Sequence, residues 1–298
     1  MLSFIPAFLM FPIHFALQIL NLGFWAALII ILGVIKFILP FKWVASLLSP
    51  MMHFMMFAFG VVSVKLIRLT NNVQWDCSVE GELSKDSWYL MMPNHLSYLD
   101  IILLIEFAAS RIPAPKFFLK KELIWLPFVG LGAWALGMPF MQRYSREFVE
   151  KNPHLKGKDI ETTRRYCKKF QSTPTTVINF VEGSRFTPEK QRAKSSQYQH
   201  LLPPKAGGVA FTLAAMGDQF TNILNVTILY PENNQHPMMD MLCGNLTRIV
   251  VHIDVLPVAD DVIGDYFNDA EFKGRFQIWL NDLWASKDKF ISQLGSSK

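Results

Sequence analysis

The stretch Trp88-Tyr89-Leu90-Met91-Met92-Pro93-Asn94-His95-Leu96-Ser97-Tyr98-Leu99-Asp100 changes character halfway along its length. Trp88 to Met92 is a short apolar run rich in aromatic residues and reads as a buried strand. Ile101 to Ala109 is an apolar run of helical character. Between them lie His95 and Asp100, at the strand-to-helix junction where α/β folds place reactive groups. Imidazole titrates close to neutral pH and can take a proton from an attacking hydroxyl. A carboxylate on the other ring nitrogen would fix the tautomer and favour the imidazolium that forms, so no serine nucleophile is needed. Taken alone, such a pair is more often a half-buried histidine beside a helix-capping aspartate, and the rest of the chain has to decide.

Outward from this junction, Val73–Val79, Thr175–Val181, Leu224–Tyr230 and Ile249–Leu256 read as further strands, with helical patterns at Asp159–Phe170 and Gly208–Met216. Strands alternating with helices predict an α/β domain with a mixed, largely parallel sheet flanked by helices. Tyr266–Leu294 carries Phe, Trp and Leu at near-helical spacing and is expected to be an amphipathic helix. Pro188–Lys205, rich in Lys, Arg, Gln and Ser, is expected to be a mobile loop.

Composition points to a membrane. Of 298 residues, 51% are hydrophobic and only 18% charged, against roughly a quarter charged in soluble domains. Residues 1–35 and 43–64 contain no Asp, Glu, Lys or Arg. A helix needs about 20 apolar residues to cross a bilayer core, so the first run is either one long tilted span or a hairpin turning near Asn21 and Gly23. The second run has basic flanks on both sides, which suits an interfacial position. Residues 1–68 are therefore expected to form hydrophobic membrane-anchoring helices, and 69–298 the α/β domain. No basic residue precedes the first run, which argues for a retained anchor over a cleaved signal peptide. Lys36, Lys42, Lys65 and Arg68 flank the apolar runs and place the α/β domain on the cytoplasmic side.

A net charge of +5 suits an anionic leaflet or phosphorylated substrates. No basic helix or basic patch interleaved with aromatics is present, which argues against nucleic acid as a partner. Cys77, Cys167 and Cys243 lack C-x-x-C spacing, and no histidine sits at ligand spacing with cysteine or carboxylate, so neither a disulfide framework nor a metal site is expected. Leu123–Gln142 is uncharged and as long as a span, but Pro127, Pro139, Gly130, Gly132 and Gly137 interrupt it. Gly130-Leu131-Gly132-Ala133-Trp134-Ala135 imitates a dinucleotide fingerprint without its strand-turn-helix setting.

Asn94-His95-(four residues)-Asp100 resembles the H-x4-D signature of the 1-acylglycerol-3-phosphate acyltransferases. Lys120, Leu123, Pro127, Gly130, Gly137, Phe140 and Arg143 match that family's second block at every spacing. Phe180-Val181-Glu182-Gly183-Ser184-Arg185-Phe186-Thr187 is similar to the third block, Leu224–Pro231 to a degenerate fourth, and Lys205-Ala206-Gly207 to a lysine-glycine step between them. The Arg185-Phe186-Thr187 detail and the apolar N-terminus look closest to the bacterial YihG-like branch.

The resemblance implies acyl transfer from acyl-CoA or acyl-carrier protein to the free hydroxyl of lysophosphatidate, with His95 and Asp100 catalytic and no cofactor. It implies a substrate-binding set of Asn94, Lys120, Arg143, Glu182, Gly183, Ser184, Arg185 and Lys205. Arg143 and Arg185 would hold the acceptor's phosphate, since guanidinium matches phosphate oxygens in bidentate fashion. Glu182 would hold an arginine or a glycerol hydroxyl. The lipid partner would be met at a bacterial inner membrane. Two alternatives stand beside this reading: another lysophospholipid acceptor such as lysocardiolipin, and a non-catalytic membrane scaffold on the same fold. A hydrolase is disfavoured because no G-x-S-x-G elbow is present.

Overall fold

The computed structural model describes residues 5–141, 167–168 and 170–296. The chain opens with two long helices, α1 (Ala7–Ile38) and α2 (Lys42–Thr70). It continues through β1 (Gln74–Glu80), β2 (Tyr89–Pro93), α3 (Leu99–Arg111), β3 (Pro115–Phe117), β4 (Leu119–Lys120), α4 (Val129–Ala135), β5 (Phe140–Met141) and β6 (Thr176–Ile178). Beyond these come α5 (Pro188–Ala193), α6 (Ala206–Met216), β7 (Asn222–Leu229), α7 (Pro237–Leu242), β8 (Arg248–Pro257) and α8 (Ala270–Ser296).

Six strands form one sheet in the order β1-β8-β7-β2-β6-β3, and β4 pairs with β5 in a separate ribbon. Among the described residues only β7 with β8 pairs antiparallel in this sheet, so the mixed, largely parallel sheet expected from the sequence is present. All five residues of β2 are buried. Successive side chains on a strand point to opposite faces. Tyr89 and Met91 accordingly enter a core shared with α2 and α3, while Leu90 and Met92 enter a second core shared with α6 and α8. The domain thus has three layers, helices on both faces of the sheet, which is how a strand apolar on both sides is covered.

The first apolar run is a single continuous helix through Asn21 and Gly23; the turn falls at 39–41, before α2. Asn21 instead joins the two helices, its amide donating to the Phe59 carbonyl (3.1 Å) and to Ser63 Oγ (2.9 Å). Gln18 donates to the Ser63 carbonyl at 3.2 Å and bonds the His14 ring, which in turn meets Thr70 Oγ1 at 3.1 Å. Side-chain hydrogen bonds of this kind hold helices together where lipid offers no competing partner. The outer faces are left apolar, with Phe8, Leu20, Phe24, Phe37, Trp43 and Phe54 all exposed. Both helices are long and apolar enough to cross a membrane. α2 also packs on α3 at Gly60, where an added Cβ would lie 2.7 Å from Ile105 Cγ2 and 3.0 Å from the Glu106 amide nitrogen.

Leu123–Gln142 is broken, as its prolines and glycines require. It holds the end of a 3₁₀ turn over Lys121–Trp125, the short α4, and β5, which pairs with β4 just before it. Trp125 is 86% exposed, and Leu126, Phe128 and Leu131 beside it are exposed too.

Pro188–Lys205, expected to be a mobile loop, is irregular only after its first six residues. Its first residues form α5, capped by the Thr187 side chain, and Tyr198, Leu201 and Leu202 are buried. The Gln199 and His200 amides donate to the Asp288 carboxylate at 2.8 and 2.7 Å, and Trp284 Nε1 donates to the Leu202 carbonyl at 3.1 Å. These anchors to α8 use main-chain groups, while the Gln191 and Ser196 side chains donate to the Tyr198, Gln199 and Leu201 carbonyls within the segment. The helix expected over Asp159–Phe170 lies almost entirely outside the described residues. Because Trp284 is wholly buried and holds this segment, Trp284→Ala should lower unfolding free energy by roughly 3–5 kcal/mol in a chemical denaturation experiment.

Candidate active site

β2 ends at Pro93, and the chain turns through Asn94-His95-Leu96-Ser97 before α3 begins. Asn94 is fully buried and both faces of its amide are engaged by one residue of the neighbouring strand. Its Nδ2 donates to the Ile228 carbonyl at 2.9 Å, and the Ile228 amide donates to its Oδ1 at 2.8 Å. The Asn94 side chain thus stitches the turn to β7.

Asp100 sits in the first turn of α3 and is fully buried. Its Oδ2 faces His95 Nδ1 at 2.9 Å and also accepts from the Leu96 amide (2.7 Å) and the Ser97 amide (2.9 Å). Its Oδ1 accepts from the Tyr230 hydroxyl at 2.7 Å. The carboxylate is thus both a helix-start cap and the orienter of the ring. With Nδ1 committed to Asp100, the nitrogen left for proton transfer is Nε2. The His95 side chain is 13% exposed and its ring stacks on Phe180, with centroids 4.0 Å apart.

The third block is bound to the same turn. The Phe186 amide donates to the His95 carbonyl at 2.7 Å, and Gly183 adopts φ of +69°, a left-handed conformation that suits glycine. Arg185 lies over the Tyr98 ring, its Cζ 3.9 Å from the centroid, and its guanidinium donates to the Tyr98 hydroxyl at 3.3 Å. Ser184 is half-buried in the same bend. A cavity of about 680 Å³ opens beside the turn, lined by Leu96, Phe186, Thr187, Tyr230, His236 and Ile291 among others.

Glu182 makes no ion pair with Arg185 among the described residues, and its Oε1 has no hydrogen-bond partner there. It is fully buried, accepting from the Leu202 amide at 3.3 Å. Burial pushes its carboxyl up to about 8, against the pull of the Leu202 amide, the charge of Lys287 and the His95 amide. Lys287 of α8 is itself buried, with its ammonium donating to the Met92 carbonyl (2.9 Å) and the Val226 carbonyl (2.7 Å). Burial brings it down to about 7, with Glu182 and Asp254 opposing.

Tyr230 and Lys287 were not among the residues expected at the site. Tyr230 stands next to the last residue of the degenerate fourth block, which carried no polar role. Lys287 left a clearer signal: Phe276, Leu280, Trp284 and Ile291 mark the apolar stripe of α8, and Lys287 falls within that stripe. A charged residue in core register needs a buried partner.

Lys120 is exposed at the end of β4, and Lys205 precedes α6, its amide donating to the Val181 carbonyl at 2.9 Å. Arg143 lies outside the described residues. The fold also gathers Glu80, His252 and Asp254, whose candidate ligand atoms lie within 4.8 Å of one another. Sequence spacing could not show this, because β1 and β8 pair across more than 170 residues. His252 is already held there by Ser78 (2.7 Å) and Asp254 (2.9 Å).

Comparison with known proteins identifies the family. Residues 76–230, just over half of the chain, match the Acyltransferase family model, and the chain belongs to that family. An uncharacterised acyltransferase of Schizosaccharomyces pombe is 22% identical over 69% of this chain and 59% of its own length. Lysocardiolipin acyltransferase 1 of Danio rerio is 23% identical over 78% of this chain and 56% of its own. The 1-acyl-sn-glycerol-3-phosphate acyltransferase 3 of Arabidopsis thaliana is 23% identical over 67% and 51%. The chain thus spans between half and three-fifths of the length of these relatives. The crystal structure of the 1-acyl-sn-glycerophosphate acyltransferase PlsC of Thermotoga maritima superimposes with a TM-score of 0.52 at 16% identity, covering 93% of this chain and 95% of that one, and so shares the fold.

The folded protein holds the Glu182 proton up to about pH 8, whereas the unfolded chain releases it near the ordinary value of 4.5. More protons are bound in the folded state between those values, so this carboxyl makes stability fall as pH rises. Lys287 acts in the opposite sense, but only above about pH 7. As pH rises from 5 to 7, the thermal unfolding midpoint of the wild type should therefore lose ground relative to that of Glu182→Gln.

Proposed function

We propose that this chain transfers a fatty acyl group from a thioester donor to the free hydroxyl of a lysophosphatidate-type acceptor. The observation that carries the reading is the His95–Asp100 pair, with Nδ1 held at 2.9 Å by a fully buried carboxylate and Nε2 left to meet an acceptor. Nε2 removes the hydroxyl proton as the oxygen attacks the thioester carbonyl, forming a C–O bond and a tetrahedral oxyanion. Collapse breaks the C–S bond, and the imidazolium returns its proton to the departing thiolate. Asp100 stabilises the imidazolium in between. Phe180 on the ring face limits rotation of His95. Backbone amides near the second or third block would receive the oxyanion.

Arg185 stands at the mouth of the site in the third block and, with Lys120 and Arg143 of the second, would bind the acceptor's phosphate. Gly183, Ser184 and Lys205 would shape the same rim. Glu182, being buried, would act by supporting the turn. The cavity beside Leu96 and Tyr230 offers apolar walls to the donor, either acyl-CoA or acyl-carrier protein. The apolar helices α1 and α2 support delivery of both lipids from a membrane, and their basic flanks support a cytoplasmic-facing domain on a bacterial inner membrane, in keeping with the resemblance to the YihG-like branch.

Lysocardiolipin is the second acceptor to consider, because a relative named for it covers 78% of this chain. Membranes containing the protein, given oleoyl-CoA and lysophosphatidate, should form phosphatidate. His95→Ala should lower the rate by at least about 100-fold. Asp100→Asn should lower it on the order of 10⁴-fold, and Tyr230→Phe by only about tenfold, the loss of one hydrogen bond to a carboxylate. Near-normal product from His95→Ala would refute the mechanism. Product from lysocardiolipin but not lysophosphatidate would move the assignment to the second acceptor.

A further inference from the structure

A second cavity, of about 770 Å³, lies at the turn between α1 and α2, away from His95. Its Thr173 and Thr175 precede the amino end of β6, whereas His95 follows the carboxyl end of β2, and those two strands run parallel in register from Tyr89 opposite Thr176. The cavity is therefore at the opposite end of the sheet from the candidate active site. Lys36, Lys42, Lys116 and His53 contribute to its wall together with Ser46 and Thr173, and no Asp or Glu does among the described residues.

Lys116 sets this cavity apart from a surface cluster. It is only 7% exposed, with Nζ donating to the Leu136 carbonyl at 2.6 Å and facing His53 Nε2 at 3.1 Å. Among the described residues no carboxylate pairs with it. A buried ammonium without a counter-charge is costly, and structures normally pair it or neutralise it. Burial and the charge of Lys36 bring Lys116 down to about 7, so it is poised to gain a full charge when an anion arrives. The wall also carries the apolar Phe37, Pro50 and Trp134, and Phe37 is 73% exposed on the same side as the apolar faces of the two helices.

We propose that this cavity binds the phosphate of a membrane lipid headgroup as a site separate from the acceptor site, with Lys116 at its floor and Lys36 and Lys42 at its rim. A phosphodiester supplies the missing counter-charge, the serine and threonine hydroxyls donate to its remaining oxygens, and the lipid's glycerol end passes out along Phe37 and Trp134 toward the bilayer. Occupancy would fix the height of the turn of α1 and α2 at the membrane surface.

The probes are short-chain dihexanoylphosphatidylglycerol and inorganic phosphate, titrated by calorimetry onto the full-length protein in a zwitterionic detergent. The lipid should bind saturably with one-to-one stoichiometry, and His95→Ala should bind it equally well. Lys42→Gln, an exposed position that does not threaten folding, should weaken binding about fivefold, the effect of one basic residue beside an anionic group. Lys116→Met should weaken it further, with an unchanged circular dichroism spectrum as the control. Equal binding of inorganic phosphate would keep the anion site but assign it a soluble occupant, overturning the lipid assignment. No saturable binding of either probe, or undiminished binding in both lysine variants, would overturn the site itself.

Discussion

A carboxylate taken out of water costs several kcal/mol unless its oxygens are met by donors, and Asp100 is fully buried. Four groups meet it: the His95 ring, the Leu96 and Ser97 amides, and the Tyr230 hydroxyl. Three of these come from the turn itself and one, Tyr230, directly follows β7. Satisfying the anion therefore sets the path of the turn, the tautomer of His95 and the distance between β2 and β7 together. Removal of any one donor would leave the charge short and loosen the ring that depends on it.

The rest of the domain is arranged around the carbonyl ends of the same strands. Lys287 reaches through the core from α8 to the Met92 and Val226 carbonyls, on the neighbouring strands β2 and β7. Its charge also faces Glu182, whose loop is tied to the turn by the bond from Phe186 to the His95 carbonyl. Three segments far apart in the chain thus converge on one junction, and the C-terminal helix, which lies beyond the family match at 76–230, is part of that convergence. Asp288 on the same helix anchors the segment before α6.

At the other side of the domain, two helices with almost no charge are joined to one another by His14, Gln18, Asn21, Ser63 and Thr70, and to the α/β layers by close packing of Gly60 on α3. Polar contacts inward and apolar side chains outward are the inverse of a soluble helix pair. This suits a pair that meets lipid on its outer face while remaining fixed to the catalytic layers. The cationic cavity at their turn extends that surface chemistry to headgroups.

By itself the sequence determined the alternation of strands and helices and the apolar character of residues 1–68, because these rest on local composition and periodicity, while the resemblance of the spaced blocks singled out His95 and Asp100. Tertiary structure alone decided the partners drawn from a distance. Tyr230 reaches Asp100 across 130 residues, Lys287 reaches Met92 across 195, and Ile228 occupies Asn94 across 134. It also decided that Glu182 is buried, and that the polar segment 188–205 is anchored to α8. Whether a polar side chain meets solvent, substrate or a buried partner depends on which strands lie side by side. Sheet order pairs segments without regard to their separation along the chain, so composition and spacing carry no record of it.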